Sequence, residues 1–220
     1  MENKATIDLE TNSYQEYLSS LLAGDRIKCS QIIDNFMQNK IAIKNLYENI
    51  FQLSLYKIGE LWECNKISVA HEHMATSITE SIMNQIYPNL ISPKRTKKKA
   101  VISSVENELH QVGGKMAADI FEMHGWDSFY LGANTPLTEL IRFVNDINPD
   151  VIGLSLTVYF HLENLKNMLN ILTNKFRNIK ILVGGQALKF GVDNILKSYE
   201  NVIYIKSLDS LENCIKNFGE

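Results

Sequence analysis

The first candidate for chemistry is a histidine on a polar loop, His110, with Glu108 two residues before it and Gly113 three residues after it. The loop follows the apolar run Ala100–Val105, which has the composition of a buried strand. A strand that leads through a loop into a helix places that loop at the carboxyl edge of a sheet, where open α/β folds bind ligands. Protein zinc sites need three or four ligands, so a metal held by one imidazole has to bring its own equatorial chelator. These residues therefore indicate a macrocyclic metal complex as the ligand.

Two further loops of the expected sheet carry residues suited to a large ligand. Ser155 and Thr157 stand at the end of one apolar run, and Gly184 and Gly185 follow the next. Hydroxyl groups donate and accept hydrogen bonds, while paired glycines let a flat group lie against the backbone. Each pattern alone is more typical of a capped strand end or a turn. Because both loops share an edge with His110, together they favour a ligand site.

Length, composition and charge limit the classes of function. The 220 residues suffice for one large domain or two modest ones, and 45% hydrophobic with 21% charged residues is typical of a soluble globular protein. A formal net charge of -3 gives no general reason to expect affinity for nucleic acids. Cys29, Cys64 and Cys214 lack paired spacing, which favours a reducing compartment. No apolar run is long enough to span a bilayer, so we expect a cytoplasmic protein without a membrane partner.

The first part of the chain has a helical pattern, because apolar residues between Tyr14 and Tyr87 recur at a spacing of three to four. Gly24 is expected to end a first helix, Asp25 to cap a second, and Ser68 to cap a fourth, which Pro88 helps to end. Four helices joined by short turns make a small antiparallel bundle. The third helix is expected from near Ile43 to Trp62. The expected inward positions are Tyr17, Leu18, Leu21, Leu22, Ile32, Ile33, Phe36, Met37, Leu46, Ile50, Leu53, Ile58 and Leu61.

A short basic segment separates this helical part from the rest of the chain. Pro93–Lys99 contains five basic residues and interrupts the apolar pattern. A nucleic-acid patch is one interpretation, but a solvated linker is the more ordinary one for such a run. We therefore divide the chain into a helical bundle over residues 1–92, a linker over 93–99 and a second domain over 100–220.

After the linker, strands alternate with helices, which is the pattern of a parallel, doubly wound α/β sheet. We expect the flavodoxin-like (Rossmann-like) strand order 2-1-3-4-5, with a crevice between strands one and three. The predicted fold class is thus α/β, a four-helix bundle followed by a five-stranded parallel domain. The expected strands are Ala100–Val105, Asp127–Leu131, Val151–Thr157, Lys180–Val183 and Val202–Ile205. The expected helices are Gly113–His124, Leu137–Asn145, Leu162–Phe176, Asp193–Tyr199 and one from Leu208.

Three motifs of the expected sheet, taken in order, resemble a known signature. It is the cobalamin-binding pattern of methionine synthase, methylmalonyl-CoA mutase and corrinoid proteins, written D-x-H-x-x-G, S-x-L/T and GG. The resemblance covers residues 99–220, and three motifs in order make it specific. The counterparts here are Glu108-x-His110-x-x-Gly113, Ser155-x-Thr157 and Gly184-Gly185.

The resemblance implies a role for each motif. His110 would be the lower axial cobalt ligand, replacing the dimethylbenzimidazole of the cofactor itself. The displaced tail would then run past Ser155 and Thr157 to lie against the glycine pair. Glu108 stands where the pattern has Asp, and either carboxylate can accept the second N–H of a ligating imidazole and raise its basicity.

The helical part carries a second resemblance. Trp62 is followed ten positions later by Glu72 and His73, a W-x9-EH pattern similar to that in the bundle of CarH-type cobalamin photoreceptors. There the bundle caps the upper face of the corrin, and the tryptophan packs against the upper group, 5′-deoxyadenosyl. The resemblance implies a cobalamin cap, with adenosylcobalamin as the favoured form and methyl- or hydroxocobalamin as alternatives. A core tryptophan beside a solvated Glu-His pair is the other interpretation.

Two departures from the photoreceptor regulators bear on function. Those regulators begin with a winged-helix DNA-binding domain, whereas only the 13 residues before Tyr14 precede the bundle here, so direct DNA binding is not expected. They also place a histidine directly after the tryptophan, able to ligate cobalt once light has removed the adenosyl group. Glu63 stands at that position in this chain.

The sequence thus predicts a cobalamin-binding sensory module, with a light response through adenosylcobalamin as one form of that role. It would act as a homo-oligomer or through a regulatory protein partner rather than as an enzyme. The alternative is a corrinoid protein that carries a methyl group between methyltransferases, which would be one component of an enzyme system. A degenerate module that binds no cobalamin is disfavoured because all three sheet motifs are present.

Overall fold

A computed structural model describes residues 4–39, 41–191 and 196–218 of the chain. The chain divides into two units, Met1–Leu90 and Ile91–Glu220. The first unit is helical and the second contains a parallel sheet, which confirms the predicted order of a helical part followed by an α/β part. Among the helices that the structure describes, none combines the length and the apolar character needed to cross a membrane.

The first two helices meet at a tight turn. Helix α1 (Lys4–Ala23) ends before Gly24, which has a positive φ of 71°, a conformation that glycine adopts without steric cost. Helix α2 (Arg26–Gln38) begins after Asp25, whose carboxylate accepts a hydrogen bond from the Lys28 amide at 2.9 Å. The predicted end and cap at this turn are therefore confirmed.

The third helix is continuous but changes its hydrogen-bonding pattern along its length. It begins as α3 (Ile43–Asn45), continues as a π-helical segment (Leu46–Gln52) and ends as α4 (Leu53–Glu63). After a turn, α5 (Val69–Ile86) completes the unit, and a 3-10 turn containing Pro88 follows it. Sequence periodicity predicted one regular α-helix from Ile43 to Trp62. The prediction located the helix but not its π-helical segment.

The π-helical segment alters which residues face the core. The buried positions Leu46, Ile50, Ser54 and Ile58 recur every four residues, whereas an ideal α-helix has 3.6 residues per turn. A π-helix closes its hydrogen bonds over five residues, so the positions after it are displaced by about one residue from an α-helical register. Leu53, predicted to face inward, is consequently 46% exposed, and Ser54 takes its place in the core.

A hydroxyl group in this core is left unsatisfied. Ser54 is completely buried, and its Oγ has no hydrogen-bond partner among the described residues. A second buried hydroxyl, that of Tyr17, is by contrast bonded to Thr79 Oγ1 at 3.1 Å. The unit's other fully buried large side chains are apolar or aromatic and include Leu21, Ile33, Phe36, Tyr47, Phe51 and Ile78.

Five parallel strands form the sheet of the second unit, in the order β2-β1-β3-β4-β5. This is the predicted flavodoxin-like order, and it is confirmed. β3 ends at Ser155, two residues earlier than predicted, so Thr157 lies in the following loop rather than in the strand. The strands are β1 (Lys99–Ser104), β2 (Asp127–Tyr130), β3 (Val151–Ser155), β4 (Lys180–Gly184) and β5 (Val202–Ile205).

Helices cover both faces of this sheet. The described helices are α6 (Val112–Met123), α7 (Leu137–Ile147), α8 (Leu162–Lys175) and α9 (Leu208–Lys216). Helices α7 and α8 pack on the face that carries Val101 and Ile152, and α6 and α9 on the face that carries Ala100 and Ile102. Because α6 leaves β1 toward one face and α8 leaves β3 toward the other, the loops between them diverge and open a crevice at the carboxyl edge.

One predicted helix cannot be compared in full. The expected helix Asp193–Tyr199 begins among residues 192–195, which lie outside the described residues.

The basic segment before the sheet is attached to the second unit. Arg95 forms ion pairs of 2.7 Å with Glu122 and with Asp127. The Lys98 ammonium lies over the ring of Trp126, and Lys99 is the first residue of β1. The Lys99 ammonium donates to the Ile147 carbonyl at 3.1 Å. These three cations therefore contact the sheet domain, while the linker over residues 93–99 stays a prediction.

Removal of the unsatisfied hydroxyl is expected to stabilise the helical unit. For Ser54→Ala we expect the free energy of unfolding to rise by about 1–2 kcal/mol. The substitution removes a buried polar atom without breaking a hydrogen bond, and alanine has the higher helix propensity. Ser30→Ala on α2 is the matched control, since it has the same change in propensity but loses a hydrogen bond to Gln85. Urea unfolding followed by circular dichroism measures both. A less stable Ser54→Ala variant would contradict the assignment of an unsatisfied hydroxyl.

Candidate functional site

A buried carboxylate organises the loop after β1. Glu108 has no exposed surface, and its Oε1 accepts hydrogen bonds from the His110 amide at 3.0 Å and from His110 Nδ1 at 2.5 Å. Its Oε2 accepts hydrogen bonds from the amides of Thr157 at 3.0 Å and Val158 at 2.8 Å, in the loop after β3. One side chain therefore joins the two loops that border the crevice.

The electrostatics of this site favour an ionised Glu108. Burial raises the pKa of a carboxyl group, but hydrogen bonds from the His110 ring and from the His110 and Val158 amides favour the charged form more strongly, so the pKa of Glu108 is lowered to about 2. An ionised carboxylate can only accept, so the proton shared with His110 belongs to Nδ1. In the neutral imidazole, this leaves Nε2 as the atom with a lone pair that could ligate a metal.

The arrangement fits a metal that arrives with its own equatorial ligands. The His110 side chain is 44% exposed, so its ring is accessible at the carboxyl edge of the sheet. A carboxylate on the second nitrogen is the usual support of a metal-ligating histidine. Over residues 4–39, 41–191 and 196–218, no group of three or more His, Cys, Asp or Glu side chains could hold a metal ion. A protein-only metal site is thus absent from the described residues, whereas a single accessible imidazole is present and is held by Glu108.

Neighbouring strands hold the backbone of the His110 loop. Ser104 Oγ donates to the His110 carbonyl at 3.2 Å, and the Tyr130 hydroxyl donates to the Gln111 carbonyl at 2.6 Å. The Asn134 amide donates to the Glu108 carbonyl at 3.0 Å. Sequence reasoning missed these supporting residues. Ser104 and Tyr130 could have been found from the sequence, because each is the last residue of one of two adjacent strands.

The first two sheet motifs come together around this loop. A Cβ atom at Gly113 would lie 3.5 Å from Ser155 Oγ, so the start of α6 approaches the end of β3 closely. Thr157 contributes its backbone amide to Glu108. The structure thus brings together Glu108, His110, Gly113, Ser155 and Thr157, and the cofactor-binding roles of these residues stay predictions.

The glycine pair has a packing role of its own. Gly185 has a φ of 120°, and a Cβ there would lie 2.1 Å from the Leu156 carbonyl oxygen. The Leu156 amide also donates to the Gly184 carbonyl at 2.9 Å. The loop after β4 can therefore pack against the loop after β3 only without a side chain at 185, whether or not a cofactor tail also lies there.

The helical unit carries the residues of the W-x9-EH pattern on two helices that pack together. Trp62 lies in the last turn of α4 and is 42% exposed, so it is not a core tryptophan. Glu72 lies in the first turn of α5, where its Oε1 accepts from Thr76 Oγ1 at 2.9 Å and its Oε2 is 3.6 Å from His73 Nε2. The His73 side chain is 74% exposed. The shared cap role of these residues remains a prediction.

Comparison with known proteins identifies both parts of the chain. Residues 98–211 and, separately, residues 14–87 match family models that are each described as a B12 binding domain. Dimethylamine corrinoid protein 2 of Methanosarcina acetivorans is 23% identical over 133 residues, 59% of this chain and 62% of that protein. The match thus spans less than two thirds of that relative.

Two further similarities concern a regulator and a solved fold. The HTH-type transcriptional repressor CarH of Myxococcus xanthus is 24% identical over 176 residues, 80% of this chain and 58% of that protein. The structure of the Methanosarcina barkeri monomethylamine corrinoid protein superposes with a TM-score of 0.78 at 10% sequence identity, covering 93% of this chain and 97% of that one. At that identity the likeness concerns the fold. The match over residues 98–211, which is more than half of the chain, shows that the protein belongs to the B12 binding domain family and binds a corrinoid.

Proposed function

We propose that the protein is a cobalamin-binding sensory module in which His110 is the lower axial ligand of the cobalt. The observation that carries the ligand assignment is the hydrogen bond between the buried Glu108 carboxylate and His110 Nδ1. Bound cobalamin would supply a cobalt centre with an exchangeable upper group that light can remove. The protein's own contribution is to hold the imidazole in one tautomer and one orientation.

The sensory role is supported by the W-x9-EH pattern on the helical unit. The other interpretation of this pattern was a core tryptophan beside a solvated Glu-His pair. Trp62 is instead exposed at the end of α4, which argues against that interpretation. By the resemblance to CarH-type photoreceptors, Trp62, Glu72 and His73 contact the upper group, and adenosylcobalamin is the favoured form. The signal would reach a protein partner or a change in self-association.

A methyl carrier is the second candidate. The name of the Methanosarcina acetivorans relative and the fold of the monomethylamine corrinoid protein support it. Absorption spectra of the adenosylcobalamin-loaded protein before and after green light, combined with gel filtration, separate the two. A light-driven change in spectrum and size supports the sensor, whereas donation of a methyl group to a thiol through a partner methyltransferase supports the carrier.

The ionised Glu108 is expected to make stability depend on acid pH. Because its pKa is about 2 when folded against 4.5 ordinarily, its contribution is present above pH 4.5 and is lost as the pH falls toward 2. The difference corresponds to on the order of 3 kcal/mol of unfolding free energy. For Glu108→Gln we expect a shallower decline of stability over this interval in urea unfolding of the ligand-free protein. Glu139→Gln, which removes an exposed partner of Arg142, should keep the wild-type slope. Parallel curves for wild type and Glu108→Gln would contradict the ionised state.

Removal of the proposed axial ligand is expected to change cobalamin binding. For His110→Ala we expect affinity to fall about tenfold or more, because the metal loses both its ligand and the supported orientation. The absorption spectrum of the bound cobalamin should lose the features of a coordinated imidazole. His124→Ala removes a histidine that is bonded to Glu212, and it should change neither property. Wild-type affinity and spectrum in His110→Ala would show that the axial assignment is wrong.

Truncation of the exposed tryptophan is expected to reduce discrimination between upper groups. For Trp62→Ala we expect the preference for adenosylcobalamin over hydroxocobalamin to fall about 2- to 10-fold, since an aromatic contact contributes about 0.5–1.5 kcal/mol beyond its buried area. Leu53→Ala, at another exposed apolar position of α4, is the control. A competition assay measures both preferences, and equal discrimination by Trp62→Ala and wild type would remove Trp62 from the cap.

A further inference from the structure

A second carboxylate of the loop after β1, that of Glu106, reaches the start of α7. Its Oε1 accepts a hydrogen bond from the amide of Leu137, the first residue of α7, at 3.1 Å. The N-cap residue of this helix is Pro136, whose side chain makes no capping hydrogen bond. The first amides of a helix have no partner within the helix, and a carboxylate beside them also interacts favourably with the helix dipole. Glu106 therefore caps α7 from another part of the chain.

The backbone that carries this carboxylate is itself hydrogen-bonded on both sides. Asn164 of α8 donates from Nδ2 to the Glu106 carbonyl at 2.9 Å. The next residue, Asn107, has a positive φ of 69°, a conformation in which asparagine is enriched. Its amide donates to Asn134 Oδ1 at 3.0 Å. Glu106 is thus presented to α7 by a defined loop conformation.

The two carboxylates of the loop hold it to different neighbours. β1 lies between β2 and β3 in the sheet. Glu106 accepts its hydrogen bond from the helix that follows β2, whereas Glu108 accepts hydrogen bonds from two amides in the loop that follows β3. The backbone that leads to His110 is therefore held from both sides, and Glu106 supplies the carboxylate on the side of β2.

We propose that Glu106 is a positioning residue for His110. By capping α7, it fixes the loop after β1 so that Glu108 and the imidazole are in place before a corrin binds. Glu106 acts through the backbone and through Glu108, without contact to the cofactor. A loop that has to be ordered during binding lowers the affinity, so a loop that is fixed in advance raises it. The inference rests on the axial assignment proposed above.

A carboxylate at the amino edge of the same sheet provides a matched control. Asp150 Oδ2 accepts a hydrogen bond from the Lys99 amide at 2.8 Å, where β1 and β3 begin. Asp150→Ala and Glu106→Ala each remove a carboxylate that accepts one backbone amide, but only Glu106→Ala removes it at the edge that carries His110. Glu106→Gln keeps an oxygen that can accept from the Leu137 amide, so it separates the hydrogen bond from the charge.

Amide hydrogen exchange in the ligand-free full chain, followed by NMR, tests the positioning role directly. The amides of His110, Thr157 and Val158 report on the loop because they donate to Glu108. In Glu106→Ala we expect them to exchange about tenfold faster than in wild type, because the loop opens more often. In Glu106→Gln and Asp150→Ala they should exchange as in wild type. Unchanged exchange in Glu106→Ala, or an equal increase in Asp150→Ala, would overturn the proposal.

The affinity for hydroxocobalamin is the second readout. For Glu106→Ala we expect it to fall about three- to tenfold, because part of the binding energy then orders the loop. Glu106→Gln should restore most of the affinity, and Asp150→Ala should bind as wild type does. Equal affinities of Glu106→Ala and wild type would contradict the positioning role.

The absorption spectrum separates this proposal from the one on which it rests. If the cobalamin bound to wild type lacks the features of a coordinated imidazole, the axial assignment fails and the positioning role fails with it. If wild type has those features and the His110 amide exchanges equally fast in Glu106→Ala and wild type, only the positioning role of Glu106 fails.

Discussion

The candidate site depends on one buried charge whose hydrogen-bonding capacity is used in full. An unpaired carboxylate in a protein interior would be strongly destabilising, but Glu108 accepts four hydrogen bonds, three of them from backbone amides. These bonds reach the loops after two adjacent strands. The hydrogen bonds that stabilise the buried charge also set the position of His110. The stability of the carboxyl edge of the sheet and the orientation of the imidazole therefore have a common cause.

The sheet topology explains why such a bridge is needed. β1 and β3 are neighbours, yet the helices that follow them, α6 and α8, pack on opposite faces. The loops therefore separate beyond the hydrogen bond from the Val105 amide to the Ser155 carbonyl, which lies at the strand ends. Glu108 spans this gap on one side, and the close approach of Gly185 to Leu156 joins the loop after β4 to it on the other. Because these loops are tied before any ligand arrives, binding there has little loop ordering to accomplish.

The sequence allowed the architecture to be predicted more fully than the contacts. Alternating apolar runs were sufficient for the strand order, and three motifs at strand ends indicated the residues of the carboxyl edge. The second oxygen of Glu108 could not be assigned in the same way, because its partners are the amides of Thr157 and Val158, which have no sequence signature. The exposure of Leu53 was missed for a different reason, since periodicity analysis assumes one helical repeat throughout.

The π-helical segment has a consequence for how the helical unit can change over time. Residues 46–52 contain about one residue more than an α-helix would place in the same length, and Trp62 lies downstream of them on the same continuous helix. Point substitutions within the segment leave the count of residues unchanged. A one-residue deletion that restored α-helical geometry would leave the direction of the following residues nearly unchanged, whereas restoring that geometry at the same chain length would turn them by about 100° around the helix axis. The direction in which Trp62 faces therefore depends on π-helical hydrogen bonds at residues 46–52, upstream in the same helix, that absorb one extra residue.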